Sequence, residues 1–311
     1  MTIANRVHAW QERARGKFFA APVTPFDSQG RPVTESCQEY YGAVVHAGAD
    51  GLAVAVHTSR GSFLDIAVRA ELVSLAASLR VPVVAGVGNG NIDEELRWAK
   101  IAAEYGADAL LVFPQQGNID QIIYHHEQFA QISGLPQIVF DLYTDPYDDY
   151  TFQKLIELPV VAGVKIATLF DAITCQEHIN MVKTAGKVAI SGEDRMLGSS
   201  LLWGAESVLV GLGAASVNLS VDLFHSFLLA DFGRFKRAST LLDQFAKMTF
   251  AKPYEGYIQR MMWVAAAEGL IPSDQATDPF GPPLPKSEQL GLLTMLSHLK
   301  STPAYLAQRH K

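Results

Sequence analysis

The sequence predicts an α/β protein: a closed (β/α)8 TIM barrel with a C-terminal helical extension. Eight short apolar segments alternate with helical patterns at a fairly even spacing, and strands separated by helices form parallel βαβ units. Eight such units in about 210 residues match the size of this barrel. An open doubly wound sheet is the alternative, but it usually shows a glycine-rich phosphate fingerprint after its first strand, where this chain has none.

Runs of small and β-branched residues bounded by turn residues are typical of parallel strands covered on both faces. We predict strands at 17–23, 51–56, 81–87, 108–113, 136–142, 160–165, 187–191 and 206–211. Helical spacing predicts helices at 33–46, 65–79 and 92–105, from the 114–117 loop to 131, from about 170, and around 195–203.

Beyond residue 221 the pattern is helical without strands, at 221–229, 235–248, 257–268 and 287–299. We therefore divide the chain into a helical lead-in (1–16), the barrel (17–220) and C-terminal helices packed on the barrel (221–311).

Composition limits the partners and the compartment. The net charge of −7, with no basic cluster, argues against nucleic-acid binding. No apolar run approaches the roughly 18 residues that a membrane span needs, and the charged N-terminus lacks the apolar core of a signal peptide. Cys37 and Cys175 are far apart in the sequence and belong to no metal or redox motif. We expect a cytoplasmic protein that binds neither nucleic acid nor a membrane.

The sixth predicted strand ends in a lysine, Lys165. Ammonium groups are rarely buried without a partner, and desolvation lowers the pKa of a lysine. A neutral amine is the nucleophile that forms a Schiff base with a carbonyl group. The alternative is that the strand ends there and the side chain reaches solvent.

Polar side chains follow the other strands at the barrel face where active sites lie. Several hydroxyl and amide groups are thereby expected to converge on the lysine, as a carbinolamine-forming site requires. The residues at the ends of the predicted strands are His57, Thr58, Ser59, Arg60, Gln115, Gln116, Asp141, Tyr143, Thr168, Gly192, Glu193 and Asp194. The chain has no HExxH spacing and no GxSxG motif, and the adjacent His125 and His126 face different directions on a helix, so we expect no metal site.

Several segments, in this order and spacing, resemble the dihydrodipicolinate synthase/N-acetylneuraminate lyase family of Schiff-base aldolases. They are Ala21-Pro22-Val23-Thr24-Pro25-Phe26 with Gly30, Gly48-Ala49-Asp50-Gly51-Leu52, Ala85-Gly86-Val87-Gly88, Gly106-Ala107-Asp108-Ala109, Gly163-Val164-Lys165 with Ala167-Thr168, and Ser191-Gly192-Glu193-Asp194. The resemblance implies that Lys165 forms an imine with a 2-oxo acid such as pyruvate, without metal or organic cofactor. It also implies a homotetramer, often a dimer of dimers; a homodimer is the alternative.

The chain departs from the family at several positions. The carboxylate-binding loop, Gly-Thr-Thr-Gly-Glu in the family, is Val56-His57-Thr58-Ser59-Arg60 here, and the proton-shuttling tyrosine is replaced by Phe140. Phenylalanine cannot donate a proton, so Asp141, Tyr143 or His57 would have to replace it. Gln115-Gln116 replaces a tyrosine pair, and 144–150 lacks the arginine that binds a second carboxylate in some members. Tetrahydrodipicolinate-pathway synthesis is therefore not expected.

We accordingly predict a lyase that condenses, cleaves or dehydrates a 2-oxo acid such as a 2-keto-3-deoxy acid. The catalytic residues are expected to be Lys165, Tyr143 and His57. The substrate is expected to contact Thr58, Ser59, Arg60, Asp141, Thr168, Gly192 and Leu209. The alternative is a catalytically impaired relative that binds a metabolite as a sensor or structural partner.

Overall fold

A computed structural model describes residues 2–306. Eight parallel strands close in chain order into a barrel, which confirms the predicted (β/α)8 fold. The strands are β1 (Phe18–Ala20), β2 (Gly51–Val54), β3 (Val83–Val87), β4 (Ala109–Val112), β5 (Gln137–Leu142), β6 (Val161–Ala167), β7 (Val188–Ser191) and β8 (Ser207–Val210).

Helices surround the barrel and form the C-terminal part. They are α1 (Ile3–Ala14), α2 (Glu35–His46), α3 (Ile66–Ser78), α4 (Ile92–Glu104), α5 (Ile119–Ser133), α6 (Asp149–Glu157), α7 (Ala172–Thr184), α8 (Leu197–Leu202), α9 (Val217–Leu228), α10 (Phe232–Thr249), α11 (Tyr257–Ala267), α12 (Lys286–Ser301) and α13 (Pro303–Leu306). No helix within 2–306 is both long and apolar enough to cross a bilayer.

Alternation along the strands divides the core in two. On β5, Phe140 belongs to the cluster that fills the barrel interior, whereas Val139 belongs to the cluster between the strands and the helices. Successive side chains of a strand point to opposite faces, so a strand-end residue enters the barrel only at every second position. This parity decides which predicted site residues can meet.

Helix α1 covers the amino-terminal end of the barrel. Trp10 stacks on Phe19 with ring centroids 6.3 Å apart, and Gln11 Nε2 donates to the Ala162 carbonyl at 2.9 Å and to the Gly186 carbonyl at 3.1 Å. The lumen is thereby packed at this end, and Lys165 lies further along β6, towards the opposite end.

Helix α6 was missed by the sequence prediction, which placed no element between the fifth and sixth strands. Its N-cap is Asp148, whose side chain accepts a hydrogen bond from the Thr151 backbone at 2.8 Å. Phe152, Leu155 and Ile156 form its buried face. An N-cap aspartate followed by an apolar face with helical spacing is a recognisable helix signal, so this helix could have been predicted from the sequence.

The segment between α10 and α11 is held against the core by Arg260, a nearly fully buried side chain. Its Nη1 lies 3.1, 2.8 and 3.2 Å from the carbonyl oxygens of Thr249, Ala251 and Pro253. This fixes the backbone just before Glu255 and Tyr257, which reach the site described below. The division into 1–16, 17–220 and 221–311 stays a prediction, and Met1 and 307–311 lie outside the described residues.

Candidate active site

Lys165 lies inside the barrel, where it packs between Phe140 and Gly192. Its Nζ is 4.0 Å from the centre of the Phe140 ring, and the side chain is only 7% exposed. Burial lowers its pKa to about 8, although the nearby charges of Asp194 and Glu193 oppose that shift. The amine therefore loses its proton more readily than an ordinary lysine.

Gly192 leaves the room that the lysine occupies. A Cβ at this position would lie 2.7 Å from Lys165 Cε and 2.9 Å from its Cγ. The Gly192 N–H donates to the Ile166 carbonyl at 2.7 Å, which fixes the loop after β7 against β6. Gly192 therefore contacts Lys165 directly, and its expected contact with the substrate stays a prediction.

Asp194 is a buried carboxylate beside the lysine that accepts a hydrogen bond from the Leu212 N–H at 2.9 Å. Burial raises its pKa to about 7, and the opposite charge of Lys165 limits the rise. Each group favours the charged form of the other. The sequence predicts Asp194 among the polar residues at this face of the barrel but predicts no catalytic or substrate-binding role for it.

Glu193 holds the loop after β6. Its carboxylate accepts hydrogen bonds from the Thr168 N–H at 2.6 Å, the Thr168 hydroxyl at 2.8 Å and the Leu169 N–H at 2.8 Å. The structure thus gives Thr168 hydrogen bonds to its own loop and to Glu193.

The loop after β2 carries four of the expected residues and is folded back on itself. Ser59 Oγ bonds the Val56 N–H at 2.8 Å, and Thr24 donates to the Ser59 carbonyl at 2.8 Å. Ala55 and Arg60 both have left-handed backbones, with φ of 53° and 55°. Non-glycine residues hold this conformation only where the surrounding structure imposes it, commonly at functional sites.

Two residues that sequence reasoning missed, Glu255 and Tyr257, join this loop from the C-terminal part. Glu255 is 3.0 Å from His57 Nε2 and accepts from the Tyr143 hydroxyl at 2.9 Å. Tyr257 Oη lies 3.0 Å from Thr58 Oγ1 and 3.5 Å from His57 Nδ1. Both follow Pro253 in the sequence, where no strand end pointed to them.

Arg60 is occupied by carboxylates of the chain itself. Its Nη2 is 2.6 Å from Asp278, its Nε is 3.2 Å from both oxygens of that carboxylate, and its Nη1 is 3.5 Å from Glu255. Both Arg60 and Asp278 are buried. This is a structural ion pair between the β2 loop and the segment before α12.

Asp141 requires a correction. Its carboxylate bonds His178 Nδ1 of α7 at 2.8 Å, and both side chains are buried. Because Asp141 follows Phe140 on β5, its side chain lies on the outer face of the barrel. It is therefore not placed to bind a substrate at Lys165. Leu209, in contrast, belongs to the interior cluster with Phe140.

A cleft of about 550 Å³ lies beside these residues at the mouth of the barrel. Its apolar lining includes Phe63, Phe113 and Leu142, and its polar lining includes His57, Arg60, Asn89, Thr144, Asp145 and Glu255. Within 2–306 no group of three or more His, Cys, Asp or Glu side chains is arranged to hold a metal ion.

The closed barrel with a buried amine in its interior and a polar cleft at its mouth is the architecture of a barrel enzyme, and the names of the family members reported below place this enzyme in the lyase class. The chain belongs to the dihydrodipicolinate synthetase family, whose model matches residues 14–299.

The similar proteins include synthases and lyases. A 4-hydroxy-tetrahydrodipicolinate synthase of Bifidobacterium longum is 28% identical over 86% of this chain and 89% of its own length. Among solved structures, a dihydrodipicolinate synthase of Agrobacterium tumefaciens superposes with a TM-score of 0.82 (20% identity, 93% of this chain, 99% of that one). The N-acetylneuraminate lyase of Mycoplasma synoviae superposes with a TM-score of 0.77, at 19% identity, over 92% of this chain and 98% of its own. YagE of E. coli K12, solved in complex with pyruvate, superposes with a TM-score of 0.82, at 22% identity, over 92% of this chain and 99% of its own.

Proposed function

We propose that this protein is a Schiff-base lyase that acts on a 2-oxo acid through Lys165. The observation that carries the proposal is the buried amine with its lowered pKa, packed against Gly192 inside a barrel of this family. The pyruvate complex of YagE, and the Ruminococcus gnavus structure described as a catalytic lysine mutant of a sialic acid aldolase, support a lysine and a keto acid as the reacting pair.

In the proposed reaction, neutral Lys165 Nζ bonds to C2 of the keto acid and the carbonyl oxygen leaves as water. In cleavage, the C4 hydroxyl loses its proton to a base, the C3–C4 bond breaks, and its electron pair moves into the protonated imine to give an enamine that then takes up a proton at C3. In dehydration, a base removes a proton from C3 to give the enamine, which expels the C4 hydroxyl as water once that group is protonated. Asp194 lies where its charge acts on the amine. His57 and Tyr143, both hydrogen-bonded to Glu255, are the candidates for moving protons.

The loop after β2 is the proposed anchor for the substrate carboxylate. Thr58 and Ser59 are buried residues, and their backbone N–H groups donate no hydrogen bond to another group within 2–306. Buried donors of this kind favour an anion. Because Arg60 is already paired with Asp278, we do not assign it a second carboxylate. The polar side chains of the cleft suit the hydroxyl groups of a 2-keto-3-deoxy acid.

Borohydride trapping tests the proposal. The protein is incubated with pyruvate and a panel of longer 2-oxo acids, reduced, digested and analysed by mass spectrometry. We expect an adduct on the peptide that contains Lys165. Lys187 is the internal control, because burial also lowers its pKa, but its Nζ donates to the carbonyl groups of Leu158 and Val161 at the start of β6.

An adduct on Lys187 alone, or none with any acid of the panel, would contradict the lyase proposal and favour a metabolite-binding relative. We further propose that the chain works in the cytoplasm as a homotetramer or homodimer, in keeping with the family resemblance. Light scattering of the purified protein measures that mass, and a monomer at micromolar concentration would exclude the assembly.

A further inference from the structure

Five polar side chains form one continuous set of hydrogen bonds at the cleft. Glu255 accepts from Tyr143 through Oε1 at 2.9 Å and contacts His57 Nε2 through Oε2 at 3.0 Å. The other ring nitrogen of His57 is 3.5 Å from Tyr257 Oη, which is 3.0 Å from Thr58 Oγ1. The set runs from Thr58 on the β2 loop to Tyr257 in the C-terminal part, back to His57 on the β2 loop, and through Glu255 to Tyr143 just after β5.

The charge of Glu255 fixes the direction of these bonds. Hydrogen bonds from His57 and Tyr143 and the charge of Arg60 outweigh burial and lower the pKa of Glu255 to about 2. Its carboxylate can therefore only accept, so His57 Nε2 carries a proton towards it. In the neutral imidazole, Nδ1 is then an acceptor.

Tyr257 is the group that donates to that nitrogen. Burial holds the pKa of Tyr257 well above its usual range, so its hydroxyl keeps its proton. We assign this single proton to the bond with His57 Nδ1, and in that arrangement Thr58 donates the bond between Thr58 and Tyr257. The order is thus Thr58 to Tyr257 to His57 to Glu255, and the lone pairs of Thr58 Oγ1 remain available.

Strand β2, which precedes the loop of Thr58, lies four positions from β6 around the eight-stranded barrel. Asp194 connects Lys165 to the relay side, because its charge acts on both Lys165 and Tyr257 and its carboxylate accepts from the Leu212 N–H just after β8. Gly211 keeps the relay side open: a Cβ there would lie 3.0 Å from the Tyr257 ring and 3.1 Å from Thr58 Oγ1. Residues 211 and 212 after β8 thus lie next to both Thr58 and Asp194, and on this basis we place a keto acid bound at Lys165 between the amine and the Thr58 hydroxyl.

We propose that Thr58, Tyr257 and His57, with Glu255 as the positioning residue, form the proton relay for imine formation at Lys165. This inference rests on the proposed function. Phe140 has no hydroxyl and cannot transfer a proton. The proposal assigns this proton transfer to residues of the β2 loop and the C-terminal segment.

Imine formation moves two protons from the amine to the oxygen of the substrate, and the relay can carry both. Lys165 Nζ bonds to C2 and the carbonyl π pair moves to oxygen. Each of the two amine protons passes to Thr58 Oγ1 while Thr58 gives its own to Tyr257 and Tyr257 gives its own to His57 Nδ1. Run in reverse, the relay returns each proton to the substrate oxygen. That oxygen leaves as water with the C–O electron pair, and the nitrogen lone pair closes the C=N bond.

A relay changes the rate of imine formation and leaves its equilibrium alone, and this difference provides the test. Pyruvate is mixed with the full-length protein and samples are reduced with borohydride over time. For Tyr257→Phe we expect adduct formation to slow about 10²-fold, with the final trapped fraction unchanged. The matched control is Tyr254→Phe, the same change at a ring that instead packs against Phe170 with the two rings tilted by 40°, and it should behave as wild type.

Glu255→Gln and Glu255→Asp separate positioning from folding. The glutamine variant should slow adduct formation, and the aspartate variant, which keeps the charge, should restore part of the rate. If Tyr257→Phe instead lowers the final trapped fraction at an unchanged rate, Tyr257 is a binding or structural residue and the relay is refuted.

The tautomer of His57 gives a readout that needs no substrate. In ¹⁵N NMR spectra, with His57 assigned from the loss of its signals in His57→Gln, we expect a protonated Nε2 and a bare Nδ1. A proton on Nδ1 alone would reverse the hydrogen-bond order and overturn the relay. Absence of any pyruvate adduct in the wild type would contradict the proposed lyase with this acid, and the NMR result would still decide the hydrogen-bond order.

Discussion

Gly192 and Lys165 are in direct contact, such that a methyl group at Gly192 would lie 2.7 Å from the lysine Cε. The Lys165 side chain is confined on this side by the β7 loop and on the other by the Phe140 ring. The conformation of the amine is therefore determined by two residues from neighbouring strands, and each offers a way to move it.

Gly192→Ala should displace Lys165 and slow imine formation strongly, at a cost of about 1–3 kcal/mol in the free energy of unfolding, because the inserted methyl overpacks a filled site. Time-resolved borohydride trapping and urea unfolding measure the two effects. Gly42→Ala in α2 is the control, since a Cβ there meets no atom within 4 Å apart from the neighbouring backbone of its own helix. Wild-type trapping by Gly192→Ala would show that the contact does not position the amine.

The rate of adduct formation should rise with pH and level off above about pH 8, because only the neutral amine attacks and the pKa of Lys165 is lowered to about 8. Asp194→Asn should move this rise to lower pH. The carboxylate of Asp194 favours the ammonium form, so its removal lowers the lysine pKa further.

The pH profile is measured by trapping between pH 6 and pH 10, with the exposed Asp120→Asn as the control. Glu193 is the other charge that acts on the amine, and it is unchanged in both variants. A shift of the Asp194→Asn profile to higher pH would contradict the assigned electrostatic role.

Asp278→Ala should destabilise the protein by about 3–5 kcal/mol, because it leaves the buried Arg60 guanidinium without its main partner. The double variant Arg60→Met/Asp278→Ala should cost less than the sum of the two single changes. Urea unfolding measures all three. The exposed Lys100→Ala, which removes a surface ion pair with Glu104, should leave stability nearly unchanged.

Asp141→Asn distinguishes a structural residue from a substrate ligand. Loss of the charged hydrogen bond to His178 should reduce the free energy of unfolding by about 1–3 kcal/mol, while the final trapped fraction with pyruvate stays that of the wild type. A normal stability with a weakened apparent affinity for pyruvate would restore Asp141 to the substrate site.

The sequence alone predicted that Lys165 is buried in the sixth strand, because that environment is local, but β6 continues to Ala167 and does not end at the lysine as expected. A β-branched, apolar strand predicts burial on both faces, and a lysine at the end of such a strand is a conflict visible without coordinates. The same reasoning located His57, Thr58 and Gly192 next to strand ends, since active sites of this fold lie at that face.

Asp141 shows where one-dimensional reasoning fails. Asp141 does lie near the end of its strand, as predicted. Successive side chains of a strand point alternately into the barrel and outwards, and at this position the carboxylate points outwards. It therefore contacts His178 and not Lys165. Arg60 failed differently: its partner, Asp278, is 218 residues away in the chain, and no local pattern links the two.

The amino-acid order by itself determined the alternating strands and helices, hence the barrel, and the position of one lysine within it, because these depend on periodicity and on the cost of burying an amine. Only the tertiary structure decided which polar groups surround the site. Glu255 and Tyr257 contact the β2 loop across nearly 200 residues of chain. Contacts of that range arise from how the C-terminal helices pack on the barrel, which no local sequence signal encodes.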